Sequence, residues 1–389
     1  MAPIKSIDDF AIYPDLIRKF IQNGHKVHVF SPLERRNWKN SNNKKEINKV
    51  HFVKTLNLTK TSFFEKFIGL ILFDFLFEKQ IKKEIIDVKI DLILYTTPPI
   101  TISKLIQKLK DKYNCKTYLL LKDIFPQNAV DLKLINKGSI LYKYFRKKET
   151  ELYNVSDHIG CMSRANFNYV VKNNPEFQDK IEVNPNSREV LETHKFKNNS
   201  EFIFPKNKVL FVYGGNLGLP QEIKSLVRNI ISCSELKKAF FIIVGEGTEK
   251  KWLKNYIKIK SPKNLILLDS LEFSKYFSLL NLCHVGIISL NKNFTIPNYP
   301  SRILDYMMFK LPVICATDKN TDIGIDAEKE GYGFVCKTDD SVKFFNFVEK
   351  FTKDKKLRFQ MGVNGYNKLL SDFNTDISYS IILNHFKNY

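Results

Sequence analysis

The sequence has few of the residues that build metal and redox sites. Its 389 residues include only seven histidines. The six cysteines form no Cys-x-x-Cys pair and show no zinc-type spacing with histidine, which excludes a zinc finger or a dithiol redox motif. We therefore expect reduced, structural cysteines. They are Cys115, Cys161, Cys233, Cys283, Cys315 and Cys336.

Long apolar runs are also missing. The most apolar stretch, residues 63–77, is interrupted by Glu65, Lys66 and Asp74. No segment has the roughly 20 apolar residues that a membrane-spanning helix needs. The N-terminus has no apolar core of a signal peptide, so the sequence predicts a cytoplasmic protein.

Acidic residues are scarce beside basic ones. The chain has 62 Lys and Arg against 41 Asp and Glu, a formal net charge of +21 that favours anionic partners such as phosphates or an anionic membrane surface. The lysines are scattered rather than gathered into patches interleaved with aromatics, so we expect no nucleic-acid partner. The abundance of Lys, Asn and Ile also fits an AT-rich coding background, which explains part of the charge without a function.

The chain is long enough for two domains, and its pattern is that of α/β proteins. Short, buried-looking runs alternate with helical stretches, which predicts parallel sheets in two Rossmann-like units. The polar stretch 192–207 is the expected linker. We expect domains at 1–191 and 192–370, with 371–389 a C-terminal helix that packs back on the first. Predicted strands are 26–31, 50–55, 91–95, 115–122, 158–162, 209–214, 239–244, 264–268, 285–289, 313–316 and 333–335.

Glycines follow two predicted strands of the second half. Gly214-Gly215-Asn216-Leu217-Gly218 precedes a predicted helix at 221–233, whose N-terminal N–H groups would suit a diphosphate. The pattern is not Gly-x-Gly-x-x-Gly, which disfavours NAD binding, and a plain strand-to-helix turn remains the alternative. The second glycine turn, Gly245-Glu246-Gly247, has the same alternative.

A third segment places opposite charges on one helical face. Pro300 suits a first helical turn, and Arg302 and Asp305 stand three residues apart. A cation and a carboxylate there would suit a phosphate and a ribose diol, whereas an ordinary surface salt bridge is the alternative.

In the first half, Lys122 and Asp123 end a buried strand, the edge where open α/β sheets bind ligands. Asp123 is a candidate general base or acceptor-positioning group, or alternatively the N-cap of the next helix. Thr97 ends another strand on the same edge, and Gln127 follows Asp123 closely.

Taken in order, the segments 12–16, 24–27, 31–36, 122–129, 214–218 and 300–306 resemble the bacterial family 4 glycosyltransferases, closest to the WbuB-like group of O-antigen and capsule assembly. The resemblance implies a GT-B fold, in which two Rossmann-like domains face each other across a cleft. It implies a retaining transfer from a nucleoside-diphosphate sugar, a UDP-sugar by expectation, to a lipid-linked or saccharide acceptor in surface polysaccharide synthesis. It also implies no metal and no cofactor.

The same resemblance assigns roles to residues. Asp123, Lys122 and Arg302 would be catalytic, and Thr97, Asp123 and Gln127 would lie on the acceptor side. The donor would be bound by Gly214, Gly215, Asn216, Gly218, Gly245, Glu246, Asn298, Tyr299, Ser301, Arg302 and Asp305.

Some positions depart from the family pattern. A first strand before residues 12–16 is missing, and Phe10-Ala11 stand where a loop glycine is expected. Asp305 replaces a glutamate, Pro297 replaces an acidic residue, and Asn216 and Gln221 replace a basic pair. These departures keep open a non-catalytic scaffold. A GT-B nucleotide-sugar epimerase is the other alternative, although it would need acid/base histidines that are few here.

The aromatic-rich stretch 63–77, followed by Lys79, Lys82 and Lys83, predicts a helix. It could lie at a membrane interface near a lipid-linked acceptor, or form a core helix of the first domain.

Overall fold

A computed structural model describes residues 3–41, 50–57, 63–86, 88–196 and 202–386. The chain divides into two compact units. Unit 1 comprises Met1–Arg188 with Thr375–Tyr389, and unit 2 comprises Glu189–Asn374. Residues 197–201 of the expected linker lie outside the described residues.

Unit 1 is an α/β unit whose strands are all parallel. Strands β1 and β2 form a two-stranded sheet, and β3, β4, β5 and β6 form a four-stranded sheet in that order. The strands are β1 Val29–Glu34, β2 Val50–Thr55, β3 Leu92–Thr96, β4 Lys116–Leu121, β5 His158–Cys161 and β6 Ile181–Val183. The helices are α1 Ile12–Gln22, α2 Phe63–Glu84, α3 Ser103–Tyr113, α4 Gln127–Asp131, α5 Ile140–Val155 and α6 Arg164–Asn173.

Two features of unit 1 bear on the sequence predictions. The strand expected at 26–31 begins three residues later, at Val29, and the three-residue β6 was not predicted because so short a run carries no periodic signal. Within residues 3–41, no strand precedes α1, as the sequence predicts. The two sheets share no strand pair among the described residues.

Unit 2 contains one six-stranded parallel sheet in the order β12-β11-β10-β7-β8-β9. Its strands are β7 Val209–Gly214, β8 Ala239–Val244, β9 Leu265–Leu268, β10 Val285–Ser289, β11 Val313–Thr317 and β12 Gly333–Lys337. Its helices are α7 Ile223–Ser232, α8 Lys250–Lys260, α9 Phe273–Leu282, α10 Arg302–Met308, α11 Ile323–Lys329, α12 Ser341–Lys353 and α13 Lys355–Asp372. All residues of β7, β10 and β11 are buried, as a doubly wound sheet requires.

The strand order of unit 2 reverses at one place. From β7 the chain builds outward through β8 and β9, then returns so that β10 lies on the other side of β7. In open α/β sheets, ligands bind at the carboxyl ends of the strands where the order reverses. The end of β7 is therefore the position in unit 2 at which a ligand site is expected.

The last helix, α14 Thr375–Asn384, belongs to unit 1. Its Ile382 packs with Leu16 and Phe20 of α1 in one apolar cluster. The Ser378 hydroxyl donates to Asn184 Oδ1 at 2.7 Å, and the hydroxyl of Tyr379 lies 2.9 Å from His25 Nε2. These contacts fix the C-terminal helix on unit 1.

Candidate functional site

The end of β7 is an exposed turn of main chain. Gly214 is the last residue of the strand and is buried, whereas Gly215 and Asn216 are exposed. Gly215 has φ of +137°, a conformation that side chains disfavour. The turn therefore offers bare backbone at the point where the strand order reverses.

The two glycine turns predicted from the sequence pack against each other. The amide of Gly215 donates to Val244 O at 2.9 Å, and that of Leu217 donates to Glu246 O at 2.7 Å. A Cβ atom on Gly245, whose φ is +151°, would lie 1.8 Å from Gly215 O. Only glycine allows this approach, so the second turn supports the first.

This packing uses some of the N–H groups that were expected to face a diphosphate. The Gly214 amide donates to the Tyr306 hydroxyl at 3.0 Å. The amides of Gly215 and Leu217 donate to carbonyl oxygens of the second glycine turn and the strand before it. Across the described ranges, the backbone N–H groups of Asn216 and Gly218 have no hydrogen-bond acceptor. Two amides of the turn, rather than five, lack an acceptor, and of these two residues Asn216 is exposed and Gly218 is buried.

The expectation that the next helix would turn its open N-terminus to the phosphates is wrong. Helix α7 begins at Ile223, after a short 3-10 turn, and Glu222 at its start has φ of +47°. The buried carboxylate of Glu249 accepts the Ile223 amide at 3.2 Å. A protein carboxylate thus already occupies the positive end of the helix.

Arg302 lies directly behind the exposed turn. A Cβ atom on Gly215 would be 2.9 Å from Arg302 Cζ, and the guanidinium lies over the Tyr213 ring at 4.7 Å. Its Nη1 is buried and has no hydrogen-bond partner. Burial opposes the charge, but the oxygens of Tyr213 and Tyr306 outweigh burial and raise the pKa of Arg302. A permanent cation with an unused donor therefore lies beside Gly215 of the exposed turn.

Three tyrosines complete this site, and the sequence predictions missed all of them. Tyr213 donates to Asn216 O at 2.7 Å, and Tyr306 accepts from Gly214. The Tyr276 hydroxyl would be 2.2 Å from a Cβ on Gly214. Burial raises the pKa of Tyr276 and Tyr306, so both stay protonated, and the Tyr306 hydroxyl donates to Ile287 O at 3.4 Å. Tyr213 and Tyr306 flank predicted residues, but no sequence signal marks Tyr276.

The remaining predicted donor residues have mixed surroundings. The Asn298 amide donates to Thr321 Oγ1 at 3.1 Å, and Ser301 is half-buried just before α10. Asp305 is half-buried on α10, close enough to Tyr276 to raise the pKa of that hydroxyl. Glu246 is exposed and forms an ion pair with Lys250.

Tyr299 lies in the interior of unit 2. It is only 3% exposed, and its ring lies 5.8 Å from that of Phe373. Burial raises the pKa of its hydroxyl above the usual range. Tyr299 therefore packs in the core, and its part in donor binding stays a prediction.

The candidate residues of unit 1 gather where β3 and β4 end. Thr97 Oγ1 accepts the amides of both Lys122 and Asp123 at 3.1 Å. Burial raises the pKa of Asp123 to about 6 and lowers the pKa of Lys122 to about 7. A carboxyl and an amine that change charge near neutral pH thus share one strand end, which suits proton transfer.

Other observations refine this cluster. The Tyr13 hydroxyl lies 2.8 Å from Thr96 Oγ1, and Asp123 is one cause of its raised pKa, so Tyr13 is a neighbour that the sequence did not indicate. Gln127 donates to Asp131 at 2.8 Å. Asp123 is not the N-cap of the next helix, because α4 begins at Gln127 without a side-chain cap.

A small cavity opens beside Lys122. The Lys122 side chain, Tyr13 and Leu120 line it together with Asn186 and Ser378. Across the described ranges, no carboxylate forms an ion pair with the Lys122 ammonium, and those ranges hold no cluster of three His, Cys, Asp or Glu side chains arranged for a metal.

The aromatic helix α2 has two different faces. Phe73, Phe77 and Ile81 are buried, whereas Leu72 and Phe75 are exposed. No described helix is long and apolar enough to cross a bilayer. One face thus matches the core-helix alternative, and the other leaves apolar side chains in solvent.

Comparison with known proteins finds glycosyltransferases among the proteins similar to this chain. Residues 194–368 match the family model of the glycosyl transferases group 1. The matched residues lie within unit 2, Glu189–Asn374. The chain is also 25% identical, over 279 residues and 67% of its length, to "Probable glycosyltransferase WbjE" of Pseudomonas aeruginosa. The aligned part spans 66% of that protein, just under two thirds of its length.

Solved structures show the same fold. Sucrose-phosphate synthase from Thermosynechococcus elongatus superposes with a TM-score of 0.73 at 11% identity, covering 96% of this chain and 92% of that one. HepE from Anabaena, in complex with UDP-glucose, superposes with a TM-score of 0.65 at 12% identity, covering 88% and 86%. The fold is GT-B, as the sequence predicts.

Proposed function

We propose that the protein is a retaining glycosyltransferase of the WbuB-like group of family 4. It moves a sugar from a UDP-sugar to a lipid-linked or saccharide acceptor in surface polysaccharide synthesis. The observation that carries the proposal is the exposed turn at Gly215 and Asn216 with the Arg302 guanidinium beside it, whose Nη1 has no hydrogen-bond partner. The WbjE relative supports a transferase, and the UDP-glucose complex of HepE supports a uridine nucleotide.

The donor half of the reaction needs negative charge to be stabilised. When the sugar leaves, charge develops on the diphosphate, and preorganised N–H groups lower the free energy of that state. The amides of Asn216 and Gly218 and the Nη1 of Arg302 are the donors without partners. With a fixed guanidinium present, a metal ion is not required for this role. Asp305, near Tyr276, is the candidate for the ribose hydroxyls.

The acceptor half is assigned to unit 1. An acceptor hydroxyl must lose a proton as it attacks, and Asp123, with its pKa raised to about 6, is poised to accept one near neutral pH. Lys122, whose ammonium has no carboxylate partner in the described ranges, is the candidate contact for acceptor phosphate. Thr97 positions both residues through their amides.

A peripheral membrane location fits a lipid-linked acceptor. The exposed Leu72 and Phe75 of α2 precede Lys79, Lys82 and Lys83. Apolar side chains that enter the interface and lysines that meet anionic headgroups are the two features of a helix that lies on a membrane.

One observation favours a second candidate, a GT-B protein without catalysis that serves as a scaffold. The parallel strands of unit 1 form two sheets that share no strand pair in the described ranges. A protein whose unit 1 is divided in this way would keep the donor site of unit 2 and lack an ordered acceptor site in unit 1.

Two measurements separate the candidates. Thermal shift of the purified chain with UDP, GDP and their sugars tests donor binding, because ligand at 100 times its Kd stabilises the folded state by about 2.7 kcal/mol. We expect stabilisation by UDP and UDP-sugars that EDTA leaves unchanged. Incubation with UDP-sugars and a lipid-diphosphate acceptor then tests turnover. Transfer supports the proposal, binding without turnover supports the scaffold, and epimerised donor without acceptor would identify an epimerase. Absence of nucleotide binding would refute the donor site.

A further inference from the structure

The connection from α4 to α5 presents apolar side chains to solvent. Leu134 is 65% exposed and Ile140 is 89% exposed, and Tyr144, one turn after Ile140 on the same helical face, is 46% exposed. Leu141 is exposed as well, at 38%. Exposed apolar residues are common singly, but four in eleven residues form a local patch. We name this segment, residues 132–144, the α5 tip.

The α5 tip is held in a fixed conformation. The Leu134 amide donates to Ala129 O at 2.8 Å, and the Ser139 hydroxyl caps α5 by accepting the Tyr142 amide at 3.2 Å. On the opposite side of α5, Phe145 packs edge-on against Phe125. The exposure of Ile140 and Tyr144 is thus a property of a capped, anchored helix end.

The α5 tip and the turn of α5 that follows it are strongly basic. Residues 132–148 contain six Lys and Arg and no Asp or Glu. Two of the six side chains, Arg146 and Lys148, pair with glutamates further along α5. The other four are exposed and have no carboxylate partner within the described ranges. They are Lys133, Lys137, Lys143 and Lys147.

Helix α2 lies on the same side of unit 1. Partial burial raises the pKa of Asp74 on α2 to about 6, and the ammonium groups of Lys148 on α5 and of Lys108 on α3 partly offset that rise. The Lys108 ammonium also pairs with Glu78 of α2 at 2.8 Å. The three helices are therefore neighbours.

We propose that the α5 tip is a second membrane-contacting element that binds an anionic lipid bilayer by inserting Ile140 and Tyr144 between headgroups. The inference rests on the proposed use of a lipid-linked acceptor. Exposed apolar side chains can enter the bilayer interface, and the lysines around them attract anionic headgroups. Self-association through the same patch is disfavoured, because it would bring two sets of unpaired lysines together.

Sedimentation with vesicles tests the proposal on the full chain. Wild type is expected to bind vesicles containing phosphatidylglycerol and to bind pure phosphatidylcholine weakly. The pair Ile140→Ser and Tyr144→Ser, and separately the pair Lys137→Glu and Lys143→Glu, should each lower the apparent affinity about tenfold or more. Only binding to the anionic vesicles should fall with added salt.

Helix α8 of unit 2 offers a matched control. Ile259 is 76% exposed between Lys258 and Lys260, so Ile259→Ser removes a similar side chain from a similarly basic setting. It should leave vesicle binding unchanged. Equal binding by the control and the Ile140 and Tyr144 variant would overturn the proposal. So would a wild-type dimer in sedimentation velocity that the same substitutions dissociate.

The proposed function can fail independently. Vesicle binding is measured without donor, and the UDP thermal shift of every variant is measured without vesicles. Because the α5 tip lies in unit 1 and the donor site in unit 2, the folding of unit 1 is checked separately, by urea unfolding followed by the fluorescence of Trp38. A wild-type midpoint in the variants means that a loss of vesicle binding reports the surface alone.

Discussion

Replacing Arg302 with methionine separates its role in binding from any role in folding. In the structure its guanidinium contacts an aromatic ring, and its Nη1 donates to nothing. The substitution loses a cation–π contact worth about 0.5 to 2 kcal/mol. It also removes an unsatisfied buried donor, whose cost is about 1 to 3 kcal/mol. The two effects oppose each other, so we expect the free energy of unfolding of unit 2 to change by no more than about 1 kcal/mol.

Nucleotide binding should respond differently. A hydrogen bond from a charged group contributes about 1.5 to 3 kcal/mol, so loss of the guanidinium should weaken UDP binding by roughly 10- to 100-fold. Urea unfolding and UDP titration measure the two effects. The chain has two tryptophans, Trp38 in unit 1 and Trp252 in unit 2. In a Trp38→Phe background, the fluorescence of Trp252 follows unit 2 alone.

Arg188 is the matched control, a buried arginine that does have a partner. It is 3% exposed, and its Nη1 lies 2.7 Å from Asp15 Oδ2. Arg188→Met leaves a buried carboxylate short of one partner and should destabilise unit 1 by about 3 kcal/mol, without changing the UDP affinity of folded protein. If Arg302→Met also lost 3 kcal/mol and kept its UDP affinity, Arg302 would be a structural residue and the donor site would be misassigned.

Three further predictions follow from the geometry. Gly245→Ala should abolish the UDP thermal shift and destabilise unit 2 by more than about 2 kcal/mol, because its Cβ would clash with Gly215 O. The control is Gly24→Ala, which is also at positive φ but in open space and should destabilise unit 1 by only about 1 kcal/mol. Equal effects of the two substitutions would contradict this explanation. Asp123→Asn should leave unit 1 as stable as wild type near pH 4 and make it about 2 to 3 kcal/mol more stable at pH 7. The folded pKa near 6 lies above the unfolded pKa, so the cost of a buried carboxylate in wild type appears as the pH rises from the unfolded to the folded value. Parallel pH profiles of the two proteins in urea unfolding would show that burial does not perturb this carboxyl. The same variant should lose glycosyl transfer while keeping UDP binding, and unchanged turnover would remove Asp123 from the mechanism.

The sequence predicted unit 2 better than unit 1. Runs such as Val209–Gly214 and Ala239–Val244 are continuous apolar stretches ended by glycine, and strand bounds follow directly from such a pattern. In unit 1, β1 contains Pro32 and is only partly buried, so its pattern is weaker and its start was misplaced by three residues. Strand β6 has only three residues, too few for any periodicity.

The candidate site was predicted only where its residues adjoin a turn. Gly215, Asn216 and Arg302 stand in short segments whose chemistry is local, and they could be named without a structure. Tyr276 and Glu249 lie far from those segments in sequence, and sheet packing alone brings them to the turn. The burial of Tyr299 was not predicted for the same reason, because its neighbour Phe373 is more than seventy residues away.

Composition, glycine placement and apolar runs by themselves determined that this chain forms parallel α/β units with a glycine turn after β7, because backbone freedom and burial are read from neighbouring residues. Only the tertiary structure decided which amides of that turn lack a partner, that the Nη1 of Arg302 donates to nothing, and that a glutamate occupies the start of α7. Hydrogen bonds between distant residues are set when the strands pack, and no local pattern contains them.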